Sequence, residues 1–324
     1  MSWFLYALIA TMGWGFADLF YKKGSMDEDP YSHLKIGVWV GLVMGIVSLA
    51  LIPFSENLSS SGNILSLGIK YLPASLSYII SMVIGYAGLR YLELSIVSPI
   101  QNASGAFSTV VMFFFFLIKG SISSFTDEFS VLDIIGTLLI VAGVISLAVV
   151  EKKISDNEAS QSPATDTDRK YRLGALALIF PLAYCLFDTI GTAADGIILD
   201  EETGLGLGEI DVLVLYGLTF FLMGIAMWLF MLLKNKKAYN PFSIPDIKTK
   251  GLASLFEQFG QIFYVFAMAA KPMLAAPMIA SYCIVSVILS RIFIKEKLKP
   301  SQYICVFTVV LGILLLGISE GING

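Results

Sequence analysis

Three carboxylates stand inside long apolar runs of this 324-residue sequence: Asp18, Asp188 and Glu257. Asp195 and Arg90 lie nearer the ends of such runs. An ionisable side chain at membrane depth costs free energy to insert, so each one needs a reason to be there. Two kinds of chemistry fit: exchange of a proton, or attraction of a cationic group. The structural alternatives are a capped helix end and a carboxylate paired with Lys22 or with the backbone of another helix. Four residues before the two aspartates sit aromatic rings, Trp14 and Tyr184, whose faces could grip a ring or a cation or could simply pack. Tyr78, Gln101, Asn102, Gln258, Gln261, Tyr264, Ser281 and Tyr282 add polar groups inside other apolar runs. Buried amides and hydroxyls want partners, and bonds between helices would satisfy many of them.

Composition names the medium that must position these groups. Hydrophobic residues make up 56% of the chain and charged ones 14%, with a mean hydropathy of +0.80, whereas soluble domains carry about 25% charge. That excludes a secreted disulfide scaffold, a nucleic-acid binder and an ordinary cytosolic enzyme. Cys185, Cys283 and Cys305 lie in apolar runs and read as small core residues. The single histidine, His33, stands at a loop-to-helix junction, so neither a metal centre nor a cofactor is expected. The apolar N-terminal run ends in a lysine pair rather than a small-residue cleavage site and reads as a retained span.

The expected fold is an all-α membrane protein of ten transmembrane helices. Its spans fall at 3–21, 34–54, 71–91, 95–118, 130–150, 173–194, 211–233, 252–270, 273–294 and 301–319. Residues 151–172 form the longest hydrophilic stretch and read as a cytoplasmic linker between two five-helix blocks, 1–150 and 173–324. The blocks repeat. Trp14-x-x-x-Asp18 matches Tyr184-x-x-x-Asp188, and Met44-Gly45-Ile46 matches Met223-Gly224-Ile225. Tyr86 and Pro99 match Tyr264 and Pro277 at a common offset of 178, and Gly143 matches Gly312. Five helices per block is an odd number, so the second block enters the bilayer inverted, which is a transporter signature. Asp18 and Asp188 would then lie on opposite sides of the midplane, one near each gate. Pro99 and Pro277 would act as hinges.

Eighteen of the 21 basic residues fall in the loops after odd-numbered spans; only Lys70, Lys119 and Lys271 do not. By the positive-inside rule this puts the odd loops in the cytoplasm and both termini outside. Gly37, Gly41 and Gly45 recur every fourth residue and permit close helix packing, within the bundle or in a dimer. With no phosphate-binding glycine loop, the drive expected is a proton or sodium gradient, or exchange.

The chain resembles the EamA-type branch of the drug/metabolite transporter superfamily. The likeness rests on Gly13-Trp14-Gly15, on Tyr86-Ala87-Gly88-Leu89-Arg90-Tyr91-Leu92 leading to Pro99, and on Phe293-Ile294-Lys295-Glu296-Lys297-Leu298 before Gln302, Gly312 and Gly317. Two departures stand out: Cys305 occupies a glycine position of the final motif, and the 120–128 loop lacks its Glu-Gln pair. The family's typical members keep both termini in the cytoplasm, the reverse of the charge pattern here, so the resemblance carries no transport direction.

Together these readings imply a secondary active transporter in the plasma (inner) membrane of a prokaryote, working by alternating access as a monomer or homodimer. Its partners would be membrane lipid, a small polar substrate (an amine, an amino-acid-like or a sugar-like molecule) and H+ or Na+, with no nucleic acid. Substrate contacts are expected from Trp14, Tyr78, Gln101, Asn102, Tyr184, Gln261, Tyr264, Ser281 and Tyr282. Gating or coupling is expected from Asp18, Asp188 and Glu257. A membrane sensor or scaffold subunit and, less favoured, a membrane-embedded enzyme are the alternatives.

Overall fold

The computed structural model describes residues 2–25, 29–58, 61–92, 94–124, 129–161, 177–294 and 299–323. Residues 295–298 of the C-terminal motif and 162–172 of the expected linker lie outside them. Apolar sequence leaves the backbone no polar solvent, so every peptide group must bond within its own segment, and helices result. They are α1 (Trp3–Ser25), α2 (Ser32–Leu51), α3 (Ser61–Gly88), α4 (Leu94–Asn102), α5 (Ser104–Lys119), α6 (Val131–Gln161), α7 (Ile179–Ile198), α8 (Glu209–Asn235), α9 (Leu252–Ala270), α10 (Pro272–Ala280), α11 (Tyr282–Leu289) and α12 (Pro300–Asn323). No strand occurs among the described residues. Nine helical stretches there are long and apolar enough to cross a membrane. The tenth, α7, falls short of that apolarity because Asp188 and Asp195 stand within its twenty residues. The all-α, ten-helix reading of the sequence therefore holds.

Two boundaries differ from expectation. Helix α3 begins at Ser61, about ten residues before the expected span, and carries Pro73 inside it. Helix α6 runs on to Gln161, so the first part of the stretch read as a linker is helical.

Two spans are broken in the middle. Helix α4 gives way to α5 at Ala103, and α10 gives way to α11 at Ser281. Each break falls four residues after a proline, Pro99 or Pro277, and the breaks are themselves 178 positions apart. Around them the backbone tightens: Ser281 N–H donates to the Met278 carbonyl at 3.1 Å and Ala106 N–H to the Ala103 carbonyl at 3.2 Å, each three residues back.

The packing comes in matched pairs. Helix α1 lies along α9 as α3 lies along α7, and α1 meets α11 as α7 meets α5. Helices α2 with α8, and α6 with α12, form two further long seams. The glycine row of α2 faces α8 inside the bundle: a Cβ on Gly41 would come within 2.6 Å of the Phe220 carbonyl and 2.9 Å of Gly224 Cα. That is the close backbone approach small residues allow in lipid, where packing rather than hydrophobicity holds helices together.

Candidate functional site

The centre of the bundle is aromatic and polar. On α1, Trp14 lies against α9, its indole N–H donating to the Glu257 carbonyl at 3.3 Å and its ring 5.1 Å from that of Tyr264. It also faces Tyr282 at 5.8 Å and Tyr78 at 6.2 Å. Any side chain on Gly260 would collide with the indole, which is why glycine stands there. On α7, Tyr184 occupies the matching place over α3, and a Cβ on Gly85 would come within 2.7 Å of its ring.

Between these two rings lies a cavity of about 20 Å³, room for roughly one water molecule. Trp14, Asp18, Tyr78, Gln101, Tyr184, Glu257 and Tyr282 line it, and all seven are residues the sequence singles out. Tyr21, Met82, Gly85, Tyr86 and Leu89 complete the wall. Asp18 is held through one oxygen: Ser98 on α4 and Ser286 on α11 both donate to its Oδ2, at 2.7 and 2.8 Å. Glu257 takes the Tyr21 hydroxyl on Oε2 at 3.2 Å, while its Oε1 has no hydrogen-bond partner. Gln101 Nε2 is likewise unpartnered, as is the Tyr86 hydroxyl, whose ring sits 4.7 Å from that of Tyr21. Lys22 does not bond to Asp18; its ammonium donates to the carbonyls of Leu89 and Leu92, at 2.7 Å each.

The remaining sequence candidates lie around the cavity rather than on its wall. Asp188 accepts from Ser104 of α5 at 2.5 Å, leaving Oδ1 without a partner. Asn102 donates to the Ser98 carbonyl at 2.8 Å, just before the helix break. Ser281 sits in the other break and bonds the Met278 carbonyl. Gln261, 1% exposed, has neither amide atom paired, and Pro99 and Pro277 are buried beside the breaks.

Towards the opposite end of the bundle sits a second acidic cluster that the spacing of residues does not single out. Asp195 on α7, 1% exposed, accepts from Tyr71 of α3 at 2.6 Å on one oxygen and from Tyr264 of α9 at 3.1 Å on the other. Beyond it the chain ends are tied together: Trp3 donates to Glu320 at 2.5 Å, with Lys271 Nζ 4.0 Å from the same oxygen. Tyr264 is the one member of this cluster that the repeat marks, through its match to Tyr86, and Tyr86 itself bonds no carboxylate.

Residues 203–318 match the EamA-like transporter family, part of the drug/metabolite transporter superfamily, which bears out the resemblance read from the motifs. Members of that family are membrane transporters, not enzymes, and the apolar helices make this an integral membrane protein. A solved structure titled only "Crystal structure of protein" aligns with a TM-score of 0.59 at 11% identity, covering 99% of this chain and 99% of its own. At that identity the likeness establishes a shared fold along the whole chain. No curated protein matches.

Proposed function

We propose that this protein is a secondary active transporter that moves a small polar metabolite by alternating access. The observation that carries this reading is the small central cavity lined from both broken helices, by Gln101 of α4 and Tyr282 of α11, and walled by aromatic rings and by two carboxylates drawn from α1 and α9. Residues 1–150 and 173–324 act as two inverted five-helix repeats joined by the 151–172 linker. The paired breaks, 178 residues apart, and the matched packing of α1 on α9 and α3 on α7 support that division. Such repeats place their site at the interface near the midplane and work by rocking one against the other.

In this scheme the lysine-rich loops face the cytoplasm and both termini face outward. The Asp195 cluster closes the outer side, while the Glu257 side lies nearer the cytoplasm. The breaks after Pro99 and Pro277 let the half-helices swing, because their backbone is already tightened there. Asp18 and Asp188 are tethered to opposite sides of the α4–α5 break, through Ser98 and Ser104, so a change at either carboxylate is felt at that hinge. Proton exchange at one of them would couple the gradient to the swing.

Counterflow or uptake into proteoliposomes under an imposed pH gradient tests this reading. Asp18→Asn and Asp188→Asn should each reduce transport and flatten its dependence on pH. Unchanged transport with an unchanged pH profile in both variants would remove the carboxylates from the mechanism. A reporter fused after Gly324 that reads as cytoplasmic would overturn the orientation.

A further inference from the structure

We propose that the cargo of the central cavity is a small organic cation whose ammonium nitrogen still carries hydrogen. The inference rests on the transporter reading above and commits it to one substrate class. Two carboxylates line the cavity, Asp18 and Glu257, and none of the residues lining it is a lysine, an arginine or a histidine. An anionic cargo would meet two carboxylates and no basic side chain on the lining. A neutral sugar brings no counter-charge, so each carboxylate would have to be held by a proton instead, since buried charges persist only when paired. Lys22 is the nearest basic side chain in sequence, and its ammonium is directed at the carbonyls of Leu89 and Leu92 at the end of α3.

The polar atoms left open on the wall describe the cargo more closely. Glu257 Oε1 is a buried acceptor without a donor, and both serine bonds to Asp18 fall on Oδ2 alone. An N–H of an ammonium supplies the missing donor; a quaternary nitrogen has none to give. Gln101 Nε2 is a donor without an acceptor, which suits an oxygen elsewhere on the same molecule. The aromatic faces of Trp14, Tyr78, Tyr184 and Tyr282 surround the same space, and a cation is the species such faces attract. A zwitterion would need a positive group for its carboxylate, and the wall offers only neutral donors, the Gln101 amide and tyrosine hydroxyls. At about 20 Å³ the cavity is smaller than any such cargo, so loading requires the gates to part first.

The test is a matched series titrated into the purified full-length protein in detergent, read by isothermal calorimetry and by melting temperature. The probes are phenethylamine, its N,N,N-trimethyl analogue, 3-phenylpropionate, 2-phenylethanol, phenylalanine and glucose. Phenethylamine should bind and raise the melting temperature, and the other five should bind at least about tenfold more weakly, the cost of losing one charge-assisted hydrogen bond. Glu257→Gln, nearly isosteric, should weaken phenethylamine by about the same factor while eluting as a single species with unchanged ligand-free melting.

Equal or tighter binding of the alcohol, the acid, phenylalanine or glucose overturns the cationic class, as does the absence of amine binding. Equal binding by the trimethyl analogue overturns the requirement for an N–H. Trp14→Ala separates the two levels of the argument. If it abolishes binding of a non-cationic probe, the cavity stands as the transport site and only the substrate class falls. If no probe's binding responds to Trp14→Ala, Glu257→Gln or Asp18→Asn, the cavity itself is not the site.

Discussion

The two acidic clusters of the bundle are built from the same parts and finished differently. Asp195 has a tyrosine hydroxyl on each oxygen, drawn from two different helices, and almost no exposure. Glu257 has a tyrosine on one oxygen and nothing on the other, with an unpartnered tyrosine hydroxyl and an unpartnered amide along the same cavity wall. A completed network fastens α3, α7 and α9 together. An incomplete one stores unmet hydrogen-bonding capacity that a visiting molecule can satisfy. On the transport reading proposed above, the first cluster is a fastening and the second a reception surface, although both present as a buried carboxylate beside tyrosines.

Substitutions can break that contrast. Asp195→Ala should be the most damaging, stranding two buried hydroxyls and costing about 3 kcal/mol of stability, visible as a large fall in the melting temperature of the purified protein. A fall no greater than that of Glu257→Ala would erase the distinction. Tyr71→Phe removes one of the two bonds and should cost about 1–2 kcal/mol by the same measurement. Glu257→Gln should leave melting within about 0.5 kcal/mol, because the bond from Tyr21 can be kept by the amide oxygen, while transport falls. Tyr86→Phe should change stability least of all, since its hydroxyl has no carboxylate or carbonyl partner and only the Tyr21 hydroxyl beside it, and a loss comparable to that of Tyr71→Phe would show that the reception side is fastened too.

Much of this arrangement was legible in the residues. Trp14, Asp18, Tyr184 and the offset of 178 led to the cavity and to both helix breaks, because an aromatic, a carboxylate or a proline is conspicuous against an apolar background. The glycine row of α2 also declared itself, and the bundle resolves it as packing against α8 rather than a contact between copies. The hydroxyls that hold the carboxylates did not stand out. Ser98, Ser104 and Ser286 are common residues in a chain rich in serine, and only tertiary proximity gives them an aspartate to bind. Asp195 reads as lying close to the end of its apolar run, and Tyr71, the first residue of the expected third span, is not singled out. Because α3 starts at Ser61, Tyr71 is carried more than two turns into the helix and reaches Asp195 inside the bundle. Gln261 is the reverse case: its depth in the span suggested a site residue, yet it lies off the cavity wall with both amide atoms unpaired.

The long seams α1–α9, α2–α8, α3–α7 and α6–α12 all join an element from the first half of the chain to one from the second. A ribosome threading this chain into a bilayer would therefore leave the early helices without their permanent neighbours until the late ones arrive. Asp18 gains one of its two serine ligands, Ser286, only 268 residues later. Maturation is thus deferred to the end of synthesis, and the nascent first half must wait among lipids with its acidic and glycine-lined faces uncovered. Severing the chain between Gln161 and Ala177 should then cost little, since two co-expressed fragments would meet across the same seams the intact polypeptide uses.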